Sequence, residues 1–322
     1  MQQHQGDDTW SLVADIGGTN TRVALAHGAR VDRQTVQRYG NDAHADLAAV
    51  LARYLSEAGI DARQITGVCV AAAGPVQDGV AALTNLGWRV DRASLTAMIG
   101  TDRVAVLNDL QAQGHAIGHI DAADLDIVIP QPDAAAHATK LVVGLGTGFN
   151  ACPVFDHDRV RFVPPSEAGH VSLPTVTGEL ARLQAAMMQD FGFASVEEVL
   201  SGRGISYLHR ALHGEDCTPA EIMARLSSDE PKACATGAQF VRIMGIVVGD
   251  LALAHLPVGG IYLVGGVTRA IAPYLARFDF AQALRAKGRF ADFMQRFGVF
   301  VVRDDYAALT GCASYLSQRQ SP

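Results

Sequence analysis

The chain has 322 residues, 49% of them hydrophobic and 18% charged, with a formal net charge of −7. That is apolar material for two cores rather than one, and an acidic balance with no basic run among aromatics speaks against a nucleic-acid partner. Five cysteines (Cys69, Cys152, Cys217, Cys234 and Cys312) form no Cys-x-x-Cys pair, which suits a reducing cytoplasm and speaks against a disulfide framework or zinc module.

Residues 1–9 are polar and read as a disordered leader, not a signal peptide. Leu12-Val13-Ala14 then leads into Asp15-Ile16-Gly17-Gly18-Thr19-Asn20-Thr21-Arg22, and Val23-Ala24-Leu25-Ala26 leads out. This is strand, polar turn, strand. It differs from the dinucleotide fingerprint and the P-loop, both of which open a helix. Gly17 and Gly18 would permit positive φ and close approach of the backbone to a ligand. Turn N–H groups from Gly17 to Asn20 can converge on phosphate, and Asp15 can hold a hydrated Mg2+.

Arg30–Tyr39 is expected as a third antiparallel strand, Ala43–Ala58 as a helix that stops before Gly59, and Gly67–Ala73 as a buried strand turned by Gly74-Pro75. A helix over Asp91–Ile99, a strand at Val104–Leu107 and a helix from Leu110 to Ile117 follow. Asp121–Thr139, with two prolines, is expected to be a linker whose Asp121, Asp124 and Asp126 form a solvated face. Then the opening phrase returns. Leu141-Val142-Val143-Gly144-Leu145-Gly146-Thr147-Gly148 runs strand, Gly-x-Gly, hydroxyl, and continues into Ala151–Phe155. Gly144 stands where the first copy has Asp15, so one hairpin could manage the metal and the other wrap phosphate with bare backbone. Two such hairpins imply a nucleotide held in a cleft between two lobes.

Beyond it, Glu179–Asp190, Gly202–Leu212, Pro219–Leu226 and Ala235–His255 read as helices. The last includes most of an apolar stretch, around Ile243 to Leu256, that is broken by Asp250 and reads as a buried helix rather than a membrane span. Ile261–Val264 is a short buried strand ending in Gly265-Gly266. A helix from Thr268 or Arg269 follows, with room at the glycines for a base or ribose. The i,i+4 pairs His115/His119 and His209/His213 lack a third ligand in sequence and are expected to be exposed polar residues.

Phosphoryl transfer to an alcohol needs a held triphosphate, Mg2+, an in-line hydroxyl and a carboxylate to take its proton. Asp109, closing an apolar strand beside Asn108, is the base candidate. The same residues would serve equally as a helix cap before Leu110-Gln111. Ser166-Glu167-Ala168-Gly169-His170 sets a carboxylate and an imidazole on one small-residue turn, a match to vicinal sugar hydroxyls. Glu197 carries little by itself.

Together these segments resemble the proteobacterial-type glucokinases of the actin, hexokinase and heat-shock ATPase superfamily. The match runs in order through Asp15–Arg22, Thr84-Asn85…Trp88, Asn108-Asp109, Gly144–Gly148, Ser166–His170, Val199–Gly202, Gly265-Gly266 and Lys287-Gly288-Arg289-Phe290, over residues 11–318. The resemblance implies an α/β, two-lobed actin-like ATPase (ribonuclease H-like) fold, with mixed sheets flanked by helices around a central cleft. Residues 10–110 plus 306–322 would form the small lobe and 111–305 the large one. It implies a cytoplasmic, homodimeric glycolytic enzyme, without membrane or nucleic-acid partners, that phosphorylates the 6-hydroxyl of D-glucose from ATP with Mg2+. Asn108, Asp109, Glu167, His170 and Glu197 would bind the sugar, with Asp109 as base. Gly17, Gly18, Thr19, Thr147, Gly265 and Gly266 would line the ATP site, with Asn20, Gly146 and Gly148 in the same hairpins. The Cys-rich zinc motif of the related repressor and kinase branch is absent. Departures are Phe149-Asn150 for a common Leu-Gly, Ala168 for a Gly, and Ser172-Leu173-Pro174. Mannose, fructose or glucosamine as acceptor, or a non-catalytic sugar sensor, are the competing readings.

Overall fold

The computed structural model describes residues 10–83, 86–158, 160–174 and 179–319. The expected leader and Thr84-Asn85 lie outside them. The chain divides into two compact units.

The first unit is built on β1 (Trp10–Ile16), β2 (Asn20–His27), β3 (Arg30–Val31), β4 (Gln37–Gly40), β5 (Ile65–Ala72) and β9 (Val104–Asn108), in the order β3-β2-β1-β5-β9 with β4 also on β2. β1 and β2 are antiparallel, with Asp15 opposite Arg22, while β1, β5 and β9 run parallel. Alternation along these strands divides the side chains between two layers. Leu12, Ala14, Ile16, Val68, Val70 and Val106 pack with α1 (Leu47–Ala58), whose inward stripe is Leu47, Val50, Leu51, Tyr54 and Leu55. Val13, Cys69, Ala71, Ala105 and Leu107 pack with Leu309, Cys312 and Leu316 of α10 (Ala307–Gln318). This second face is rich in alanine, so α10 lies close to α3 (Asp109–Ala116). A Cβ at Gly311 would fall 1.7 Å from the Ala112 carbonyl oxygen. A small sheet, β6 (Val76–Gln77), β7 (Val80–Leu83) and β8 (Trp88–Asp91), and α2 (Arg92–Ile99) complete the unit.

The second unit repeats the plan. In sequence it carries β10 (Leu125–Ile129), β11 (Lys140–Leu145), β12 (Phe149–His157), α4 (Glu179–Phe191), α5 (Gly202–His213), α6 (Pro219–Ser227), α7 (Pro231–His255), β14 (Ile261–Val264), α8 (Gly266–Ile271), α9 (Phe280–Arg285) and β15 (Val299–Val302). β11 and β12 form an antiparallel hairpin, β11, β14 and β15 run parallel, and β10 closes the edge on β15. α7 is long and apolar enough to span a membrane, but its apolar side is the core of this unit. Gly245 and Gly249 let it approach α9, where Cβ atoms would meet Ala283 Cβ at 2.6 Å and Leu284 O at 2.5 Å.

Several expectations change. Arg30–Tyr39 is two short strands separated by a 3-10 turn over Arg33–Thr35, because Asp32 caps that turn through Gln34 N–H. The presumed linker contains β10, paired antiparallel with β15, and Asp126 forms an ion pair with Arg303 at 3.2 Å. The first unit extends through Asp121, takes back β13 (Val160–Phe162), and resumes at Asp304 rather than 306. α3 belongs to it because that helix packs on α10, and Arg161 donates to the Ile117 carbonyl. Of the four histidines, His119 is exposed as expected and His213 is half-buried, but the other two are not exposed. His115 is 3% exposed with its ring 4.9 Å from that of Tyr315, and His209 is fully buried.

Candidate functional site

In the first unit, parallel β1, β5 and β9 deliver their carboxyl ends to one sheet edge, where open α/β sheets carry ligands. β1 ends in Asp15-Ile16 and the Gly17–Thr19 turn, β5 in the Gly74 bend, β9 in Asn108. Asp109 then opens α3. Ala73 N–H donates to the Ile16 carbonyl at 3.2 Å, tying two of these ends together.

The turn is closed by Gly17 N–H donating to Asn20 O at 2.9 Å. Asn41 braces it from behind: its Nδ2 donates to Gly17 O at 2.9 Å, its Oδ1 accepts from Thr21 Oγ1 at 2.8 Å, and its backbone N–H donates to Thr19 O. Asn41 is 3% exposed, and no local pattern in the sequence marks it. Asp15 faces Arg22 at 3.5 Å. Burial pushes the Asp15 carboxyl above its ordinary range, and Arg22 pulls it back in part. Arg22 also donates to Asp305 O at 3.1 Å.

Asn108 is a cap. Its Oδ1 accepts from Leu110 N–H at 2.9 Å, Gln111 returns a bond to its backbone N–H, and Nδ2 donates to Gly74 O at 2.9 Å. Asp109, beside it, is partly exposed and accepts from Leu110 N–H through Oδ1. Both side chains therefore accept from the N–H at the helix start, as the capping reading of Asn108-Asp109 expects.

In the second unit, β11, β14 and β15 likewise end on one edge. Gly146–Gly148 connects β11 to β12, with Gly146 N–H donating to Gly148 O at 2.9 Å and Gly202 N–H donating to Gly146 O at 2.8 Å. Gly265, at φ +102, ends β14. A Cβ there would fall 2.2 Å from Leu145 O, so β14 can approach the hairpin only with glycine.

Glu197 is drawn into this hairpin. Its Oε2 accepts from Phe149 N–H at 2.9 Å, its Oε1 from Arg203 at 2.9 Å, and a Cβ at Gly148 would lie 2.4 Å from Oε2. Asn150 lies in β12 opposite Gly144, with no left-handed backbone. Its side chain holds the next polar turn: Oδ1 accepts from Ala168 N–H at 2.9 Å and Nδ2 donates to Ser166 O. Gly169 packs under Phe149, where a Cβ would meet the carbonyl oxygen at 2.1 Å, and Glu197 N–H donates to Gly169 O at 2.9 Å. That backbone presents Glu167 and His170 outward, both exposed.

None of Gly17, Gly18, Gly146 or Gly148 has positive φ, so conformational freedom does not explain them. Space explains one of them. Gly148 is filled by Glu197, whereas Cβ positions at Gly18, Gly146 and Gly266 meet nothing within 4 Å. At those three positions neither the backbone conformation nor a neighbouring atom requires glycine.

Two α/β units, each an antiparallel hairpin beside parallel strands with a glycine bend at their carboxyl ends, define a protein of the actin-like ATPase fold. The glucokinase family model matches residues 12–319. The glucokinase of Yersinia pestis (strain Pestoides F) is 32% identical over 319 residues, covering 97% of each chain. Among solved structures, a glucokinase from an Antarctic psychrotroph superposes with a TM-score of 0.84 at 30% identity, over 97% of this chain and 99% of that one. The glucokinase of Balamuthia mandrillaris in complex with glucose shares the fold, with a TM-score of 0.76 at 20% identity over 96% and 94% of the chains. The chain belongs to the glucokinase family.

Proposed function

We propose that this chain transfers the γ-phosphoryl group of ATP to the 6-hydroxyl of D-glucose, giving glucose 6-phosphate and ADP. Family membership over nearly the whole chain supports the reaction. The observation that carries the residue assignment is Asp109, partly exposed and set at the end of β9 on the sheet edge that bears the first glycine hairpin.

In the reaction, the O6 oxygen attacks the γ-phosphorus, the bond to the β-phosphate bridging oxygen breaks, and the hydroxyl proton passes to the Asp109 carboxylate. Glu167 and His170 orient the sugar hydroxyls, with Asn108 holding the start of α3 and Glu197 shaping the phosphate hairpin from behind. Gly17–Asn20, Gly146–Gly148 and Gly265-Gly266 offer backbone to the nucleotide. Asp15 fits a hydrated Mg2+, being a hard oxygen donor next to the first bend with one cationic partner, Arg22. When bound, the metal neutralises charge on the phosphates. A cytoplasmic homodimer acting in glycolysis is the setting we assign, and five cysteines with no Cys-x-x-Cys pair suit a reducing compartment.

A coupled assay for ADP release with ATP and a panel of glucose, mannose, fructose and glucosamine tests this directly, with glucose expected to give the highest kcat/KM. Asp109→Ala is expected to lower turnover about 10²–10⁴-fold, the usual span for losing a general base, while glucose still binds. Glucose binding without ADP release for any sugar would make the chain a sensor instead.

A further inference from the structure

A second cluster of chemically active side chains lies away from the sheet edges, where α5 hands over to α6. His209 Nε2 on the last turns of α5, a Glu215 carboxylate oxygen and the Cys217 thiol, both in the connecting loop, lie within 4.8 Å of one another. His209 is fully buried and Cys217 is 8% exposed. The hydrogen bonding fixes how the imidazole is oriented. Thr236 Oγ1 lies 3.1 Å from Lys232 O and 2.9 Å from His209 Nδ1, and when its proton goes to Lys232 O it accepts from Nδ1–H. The proton on Nδ1 turns the Nε2 lone pair into the cluster, where it has no hydrogen-bond partner.

That lone pair faces Glu215 Oε2 at 3.9 Å. Two acceptors opposed, one buried and one partly exposed, repel each other, and the gap is too long for a shared proton. It is close to what a metal requires, since ligands about 2.0–2.3 Å from zinc stand roughly 3.3–3.7 Å from one another. The Thr236–His209 bond is the outer-shell contact that metal-bound histidines carry, setting tautomer and ring angle. Glu215 Oε1 is held by Lys232, and Arg225 stands 3.6 Å from Oε2. Those cations orient the carboxylate, and Arg225 is the group a metal would displace.

We propose that His209, Glu215 and Cys217 bind a zinc ion through three protein ligands, with water in the fourth position, Cys217 entering as thiolate and its proton released to solvent. A nitrogen, sulfur and oxygen donor set suits zinc over magnesium or calcium. The ion would pin the α5–α6 connection onto the last turns of α5, whose His209 contacts Thr236 of α7. This site is independent of the phosphoryl-transfer reading and shares no residue with it.

The test uses the full-length chain, stripped with a chelator, reloaded with zinc and desalted, with metal content measured per chain. Cobalt serves as a spectroscopic probe of the thiolate. The expected result is about one zinc per chain and a thiolate-to-cobalt charge-transfer band. Cys217→Ser should abolish the band, and Thr236→Val should weaken zinc binding about 10–100-fold, as other outer-shell losses do. Glu215→Gln, at a partly exposed position, guards against a buried variant that fails to fold, and should weaken binding at least tenfold with an unchanged circular dichroism spectrum. Absence of stoichiometric zinc in the wild-type chain, or a charge-transfer band that survives Cys217→Ser, would overturn the assignment.

Discussion

A methyl group at Gly169 would collide with the Phe149 carbonyl, whereas one at Gly148 would collide with the end of the Glu197 side chain. The two contacts differ in what can yield. A carboxylate can swing aside at the loss of its bond to Phe149 N–H, but a β-strand carbonyl cannot, so Gly169→Ala should damage the Glu167–His170 turn more than Gly148→Ala damages the hairpin. Kinetics can read the division of labour. Glu167→Ala should raise the glucose KM by the equivalent of about 1.5–3 kcal/mol, a lost charged hydrogen bond, and leave the ATP KM near its original value. Glu197→Ala should raise both, because Glu197 ties the phosphate hairpin to the Gly169 backbone. If Glu197→Ala moves the glucose KM alone, its bracing role is wrong. Sequence reasoning singled out Glu167, His170 and Asp109 as candidates from their local surroundings, a small-residue turn and a strand end. It gave Glu197 a role only through the family resemblance and did not foresee the bracing bonds of Asn41 to Gly17, Asn150 to Ser166 or Glu197 to Phe149, which span 24, 16 and 48 positions.

Among the elements, α10 and α3 depend most on a single residue. Their backbones meet at Gly311, over the Ala112 carbonyl, and Gly311→Ala must separate them; overpacking of this kind costs typically 1–3 kcal/mol, and urea denaturation would measure it. In the second unit, Tyr207 of α5 donates to Asp190 at 2.9 Å. Burial and then this carboxylate push its hydroxyl up to about 12. The fold therefore favours the neutral phenol. That stabilisation is complete below the unfolded-state value near 10 and is lost as pH rises toward about 12. Tyr207→Phe should flatten the fall in thermal stability over this window. The alternation of strands and helices, and the duplicated hairpin, were readable because periods of two and 3.6 are local signals. β10 escaped because its pattern carries no clean inward face: Asp126 and Ile127 are both exposed, the latter at 67%. Buried His115 and His209 escaped for the complementary reason, since Tyr315 and Thr236 are far away in sequence.

For the whole molecule, the first unit is discontinuous: its sheet comes from the beginning of the chain and one covering helix from the end. Removal of residues 304–322 should strip one face of β1, β5 and β9, leaving Val13, Cys69 and Leu107 bare. The truncated chain should then show a Cys69 thiol that reacts rapidly with Ellman's reagent, whereas in the intact chain Cys69 is fully buried. A slow-reacting Cys69 in a truncated, soluble chain would mean that α10 is dispensable. The arrangement also sets a timetable for synthesis. About 180 residues separate the two main pieces of the first unit, roughly 10–40 s of ribosome travel at ordinary elongation rates. Throughout that interval the earliest-made β-strands must wait half-covered, so chaperone dependence of the newborn polypeptide should concentrate in its oldest portion.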